Sequence, residues 1–445
     1  MRERRDLSRD THLLRLAGPL ILSNLTVALQ GMVDTAVVGH LETPVYIGAV
    51  AVAAVIFNFL YWGMGFLRMG TVGIIAQLKG DENHDRLRSA LLHSCFLGVV
   101  IALGILALRT PIVTLGLDLV GGSPDVKRHA EVYFYWAVWG APAVLLNMTF
   151  VGWLLGMQNA RATFYVTLLI GVLNIVLDFI FVFHLHLDVR GVALASVIAQ
   201  FCGSGLAALF IYGELKRHPG RWRRPVIFNM KDFTALLVLN QNIFIRTLCL
   251  IFAFAFFTRQ GANQGELVLA ANAILLNFQM LVALGLDGFA NASEALVGKA
   301  IGAKDHRQFR ESVRSVMTWG GSVALLYSLL FILAGSWLIN LMTDIASVRE
   351  TAYLYLPWMI ISPVISVWCF LFDGIFIGAT RGRELRNGML FSTFAVYLPC
   401  WYLLEGLGNH GLWLALMGFF IARAFSLFWY YRAAASWIVD DRIYT

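Results

Sequence analysis

Twelve apolar stretches, each long enough to cross a bilayer, decide what this chain can become. Their edges fall near 13–40, 46–70, 89–109, 131–155, 163–184, 191–213, 235–257, 267–290, 315–335, 352–377, 389–405 and 411–431. In hydrocarbon every backbone N–H and C=O needs a partner within its own segment or a closed barrel, so stretches of this length fold as helices. Composition agrees, with 59% hydrophobic and 14% charged residues against roughly 45–50% and 25% in soluble domains. The chain reads as an all-α polytopic membrane protein with twelve transmembrane helices.

The net charge of +7 is no sign of nucleic acid, because most of the cations lie between the spans. Residues 79–88, 216–231, 299–314 and 381–386 are rich in them, whereas the intervening connections offer only Arg109, Lys127, Arg128, Arg190, Arg259 and Arg349. That bias is expected to hold both termini in the cytoplasm. Arg2, Arg4, Arg5 and Arg9 precede a long first span with no small-residue cleavage site, which reads as an uncleaved anchor. The five cysteines stand alone in apolar stretches, and His184 and His186 form the one close histidine pair. Neither a disulfide framework nor a metal centre is expected from them.

A repeat organises the whole chain. Gly63 and Gly80 recur as Gly285 and Gly302 at an offset of 222, and Gly152, Gly156 and Arg161 recur as Gly374, Gly378 and Arg383 at the same offset. Halves of six spans, an even number, point the same way through the membrane, so a pseudo-two-fold axis along the membrane normal relates them. The expected division is an N-terminal lobe 1–214, a cytoplasmic linker 215–231 and a C-terminal lobe 232–445. The Gly-x-x-x-Gly pairs serve close helix packing.

Polar residues inside the spans are the functional candidates. Pro19, Ser23, Thr26, Gln30 and Asp34 recur at steps of three or four, in one stripe along the first span. A carboxylate there costs roughly 2.5–3.5 kcal/mol on insertion unless it faces a cavity or partner. On the fifth span Asn174 and Asp178 lie one above the other. With Asp34 they make a small oxygen-rich site for protons or a sodium ion, which Asn147 and Ser196 complete. The second half has Phe256 and Cys400 at the matching places, and carries its own Arg246, Asp287, Glu294, Asp373 and Arg423. This second set reads as largely structural, with Asp373 pairing with an arginine and Asp287, Glu294 and Lys299 at the inner mouth.

Pro19, Gly31-x-Val33-Asp34-Thr35-x-Val37-x-Gly39, the run Gly65 to Thr71 and Ala76-Gln77 together resemble the multidrug and toxic compound extrusion (MATE) family, and Phe372 to Arg381 is similar to its DinF branch. The resemblance covers essentially the whole chain. It implies two six-helix lobes around a V-shaped cleft, exporting organic cations or other amphipathic toxic compounds in exchange for inward H⁺ or Na⁺. The family's first-lobe acid falls on Asp34, its bending proline on Pro19 and its fifth-helix pair on Asn174 and Asp178. Polar lining positions fall on Asn147 and Ser196, and the first-span stripe adds Thr26 and Gln30. Where the sodium-driven branch has an acid on the seventh helix, this chain offers Arg246, a departure that speaks against a second-lobe cation site; H⁺ is the expected coupling ion. Sodium at Asp34, Asn174 and Asp178 is the alternative. No cofactor beyond the coupling ion is implied. The expected setting is a monomer in the inner (cytoplasmic) membrane, meeting small organic substrates and lipid but no nucleic acid. A flippase for a lipid-linked precursor is the rival; it needs a cationic cavity, for which Arg68, Arg246 and Arg423 are the candidates. An enzyme lacks support, since no nucleophile motif, metal-ligand spacing or phosphate loop is present.

Overall fold

The computed structural model describes residues 2–39, 44–432, 434 and 437. Helices account for almost all of them, and there is no strand among the described residues. The first half contains α1 (Arg2–Gly39), α2 (Pro44–Gly63), α3 (Phe66–Gly80), α4 (His84–Ala107), α5 (Arg109–Val120), α6 (Pro124–Ala137), α7 (Ala141–Gly156), α8 (Ala160–Phe179) and α9 (Asp188–Arg217). After the short α10 (Arg224–Ile227) come α11 (Met230–Asn263), α12 (Glu266–Gly302), α13 (His306–Met342), α14 (Ala346–Gly378), α15 (Gly382–Leu390), α16 (Leu398–Leu404) and α17 (Asn409–Tyr431). Among the described residues twelve helical stretches, from Asp10–Val33 to Asn409–Tyr431, are long and apolar enough to cross a membrane. This is a multi-pass membrane protein.

Contacts divide the chain into two compact units. One is Gly18–Leu237; the other takes the chain up to Ala17 together with the chain from Val238 onward. The division therefore falls inside α1 and inside α11. Helix α1 runs on through Pro19, which cannot donate to the carbonyl of Arg15.

Each unit is built around a close helix crossing that its glycines permit. In the first, α3 crosses α7, and a Cβ on Gly152 would lie 2.6 Å from the carbonyl oxygen of Arg68. On Gly156 it would lie 2.7 Å from Ile75 Cβ and 2.9 Å from the carbonyl oxygen of Val72. In the second, α12 crosses α14 with Gly374 against the Ala290 carbonyl, and a Cβ on Gly378 would lie 2.5 Å from that of Glu294. The pairs 68/152 and 290/374 stand at the repeat offset, as do 72/156 and 294/378. Such small-residue crossings let backbones meet where lipid supplies no hydrophobic drive for helices to associate.

Two spans contain a stretch of wider, π-helical turn, Ile180–His184 and Phe391–Tyr397. The first begins two residues after Asp178. Turns of this kind often occur at functional sites.

Candidate ion-coupling site

Within the unit Gly18–Leu237, α1 lies beside α8. Ser23 Oγ donates to Thr167 Oγ1 at 2.7 Å, and Gln30 Nε2 donates to Asn174 Oδ1 at 2.8 Å. Both pairs are 144 residues apart in sequence. A constant difference, as opposed to a constant sum, means that the two helices run parallel and in fixed register. Gly171 lets them approach, since a Cβ there would lie 3.0 Å from Thr26 Cγ2. The Thr26 hydroxyl turns back to its own helix, donating to the carbonyl oxygen of Leu22 at 2.9 Å.

The polar chain continues into α9. Asn174 Nδ2 donates to Ser196 Oγ at 3.1 Å. One turn further along α9, Gln200 accepts from Asn147 Nδ2 through both its backbone and its side-chain oxygen, each at 2.9 Å. After another turn, Ser204 Oγ donates to Asn147 Oδ1 at 3.0 Å. Ser196, Gln200 and Ser204 thus form a ladder on one face of α9. Its lower rung meets α8 and its upper rungs meet α7. Gln30, Asn174 and Ser196 are joined directly, whereas Asn147 belongs to the neighbouring cluster. Thr167, Gln200 and Ser204 had not been singled out from sequence; the four-residue steps on α9 were the available signal.

Asp178 and Asn174 have no exposed surface. A buried carboxylate is held in a span only at a cost, and Asp178 sits one turn from the Gln30–Asn174–Ser196 chain. The Asp34 side chain lies outside the described residues, though the helical backbone of α1 passes through this position.

The second unit has a different arrangement. Asp373 on α14 accepts from Arg246 of α11 and from Arg423 of α17, both through Oδ2. All three side chains are at least nine-tenths buried. The expected single pairing is therefore a bridge across three helices. Glu294, expected at the inner mouth, is 2% exposed and belongs to the core of the α12–α14 crossing. Elsewhere in this unit, Ser362 Oγ donates to Gln279 Oε1 at 2.6 Å, and Asn272 Oδ1 accepts from Asn409 Nδ2 at 2.9 Å and Trp413 Nε1 at 3.0 Å.

Comparison with known proteins places this architecture. The MatE family model matches residues 19–180 and 243–402, one stretch in each half. DNA damage-inducible protein F of Escherichia coli (strain K12) is 42% identical over 422 residues, spanning 94% of this chain and 91% of that protein. A probable multidrug resistance protein NorM of Idiomarina loihiensis is 26% identical over 403 residues, spanning 87% and 84% respectively. Among solved structures, the Vibrio cholerae MATE transporter VcmN in its bent form matches with a TM-score of 0.87 at 21% identity, over 97% of this chain and 98% of that one. With twelve spans, a duplicated helix crossing and a family match in each half, the chain belongs to the MATE family, as a relative of the E. coli DNA damage-inducible protein F.

Proposed function

We propose that the protein exports organic cations and other amphipathic toxic compounds in exchange for inward-moving protons, with Asp34, Asp178 and Asn174 as the ion-coupling group. The observation that carries this is the register between α1 and α8. Extended one turn beyond the Gln30–Asn174 bond, the same difference of 144 sets position 34 level with position 178. A carboxylate at each of these positions gives the span a group that can carry the coupling ion. Thr26, Gln30, Asn147 and Ser196 line the route, and the missing N–H of Pro19 gives α1 a place to bend when the charge is removed. Alternation between two states, each favoured by a different ligand, then completes exchange.

The second unit supports the same reading by what it withholds. Arg246 and Arg423 are both engaged by Asp373, so neither is offered to the pyrophosphate of a lipid-linked precursor. That same carboxylate is occupied by two guanidinium groups, which disfavours a sodium ion there. The substrate class follows from the family and from relatives named for multidrug resistance.

The test is efflux of a fluorescent organic cation from proteoliposomes under an imposed ΔpH or an imposed sodium gradient. The expected result is export driven by ΔpH and not by sodium. Export driven by sodium alone would replace the proton with sodium as the coupling ion. Export under neither gradient would remove the antiport reading.

A further inference from the structure

Between the end of α9 at Arg217 and the start of α11 at Met230, the chain is strapped to the first turns of α4. Arg88, 6% exposed, donates from Nη2 to the carbonyl oxygen of Leu215 at 2.8 Å and lies 5.9 Å from the ring centre of Trp222. Asp85 accepts from the backbone N–H of Arg221 at 2.6 Å and pairs with Arg223 Nε at 3.0 Å. Ser89 Oγ donates to the carbonyl oxygen of Val226 at 2.8 Å, and His93 Nε2 stands 2.6 Å from that of Ile227. Arg86 closes the strap with a bidentate pair to Asp232 at 2.8 and 3.2 Å. Gly220 suits this closeness, since a Cβ there would lie 2.9 Å from the carbonyl carbon of His84.

The backbone and the carboxylates of this region are thus turned inward, and something else is turned outward. Trp222 is 51% exposed, Phe228 76% and Met230 68%. Arg221, Arg224 and Lys231 stand exposed among them. Among the described residues no carboxylate pairs with these three cations. The segment joins the candidate spans Asp188–Arg217 and Arg224–Asn263, and a connection between two spans is expected at a membrane face.

We propose that this strap is a docking surface for anionic phospholipid headgroups of the leaflet beside it. Charge complementarity names the occupant: cations held at a membrane face beside exposed aromatic and thioether side chains fit a phosphodiester above acyl chains. A charge bias that only sets topology needs cations but no exposed Trp222, Phe228 or Met230, and no pinned backbone. Pinning also lowers the ordering cost of binding, because the backbone is already fixed. Each cation near an anionic surface is worth about fivefold in affinity. The proposal is independent of the transport cycle and of the coupling ion.

The full chain, purified in detergent, is titrated with dioleoyl phosphatidylglycerol and with dioleoyl phosphatidylcholine, and retained lipid is counted by native mass spectrometry. The parent is expected to retain phosphatidylglycerol over phosphatidylcholine, with the preference falling as salt screens the charges. R221Q/R224Q/K231Q should lose roughly tenfold or more of that preference, while R109Q/R190Q/R259Q should keep it. W222A/F228A, with all strap charges intact, should hold phosphatidylglycerol more weakly than the parent. Unfolding midpoints check that each variant is folded, and the aromatic variant serves if the charge variant fails to fold. Equal retention by parent and both strap variants overturns the proposal. So does an equal loss in R109Q/R190Q/R259Q, or displacement of bound lipid by millimolar glycerol 3-phosphate, which would mark a site for free phosphate.

Discussion

Asp178 and Asn174 lie fully buried one turn apart on α8, and Asn174 is bonded to both α1 and α9. Neutralising either carboxylate of the proposed pair should remove the group that cycles while preserving its shape. Asp34→Asn and Asp178→Asn are each expected to lower ΔpH-driven efflux from proteoliposomes by roughly tenfold or more, equivalent to at least 1.4 kcal/mol on the limiting step. Partial substrate binding should survive. Near-parental efflux by both mutants would place the coupling chemistry elsewhere. Asp373 is a different kind of carboxylate, because two buried arginines depend on it. Asp373→Asn removes the carboxylate that both share and leaves Asp287 and Glu294 as the acids near them, which should cost up to about 3–5 kcal/mol of stability and show as a lower unfolding midpoint in detergent, with coupling retained by the protein that remains folded. An unchanged midpoint would show that the bridge contributes nothing. The candidate residues on α8 were legible in sequence because a polar pair four apart stands out in an apolar span. Ser196 was legible as well, but Gln200, Ser204 and Thr167 were not. Hydroxyl side chains in helices often bond their own backbone, as Thr26 does, and one helix's sequence does not name its neighbour. The same limit hid the pairing of Arg246 with Asp373, whose charges were plain but whose meeting depends on packing.

At the scale of the element, α1 is the helix expected to move. It continues through Pro19, leaving one carbonyl in the first part of the span without its helical partner. Pro19→Ala supplies the missing N–H and should stiffen the helix. The variant is expected to express and melt like the parent while its cation efflux falls. Parental efflux with normal expression would mean that the proline is only tolerated there. Span positions were readable from hydropathy, since all twelve stretches have a helix in the structure. Their ends were not, because helices such as α12 and α13, at 37 residues each, run past the apolar core into charged sequence. The π-helical turn after Asp178 also escaped, because such a widening reflects how neighbouring helices pack and has no composition of its own.

For the whole molecule, the orientation rests on where the cations lie. In a cysteine-free background, Arg223→Cys should react only with reagent admitted to the cytoplasmic side, and Ser123→Cys with reagent applied outside. Labelling of Arg223→Cys alone from outside would invert the topology. The repeat was legible from glycine spacing, and the structure adds what those glycines meet. A crossing reproduced at an offset of 222, down to the carbonyls at 68 and 290, makes the two halves structural duplicates at this point. The ionisable groups do not repeat: Asp34 and Asp178 correspond to Phe256 and Cys400 across the duplication, and Arg246, Asp373 and Arg423 to Asn24, Val151 and Phe201. The duplicated scaffold therefore carries a different set of buried charges in each half. Beside one copy of the crossing lies a polar chain with the buried Asp178 one turn away; beside the other, three helices are fastened by one carboxylate and two guanidinium groups.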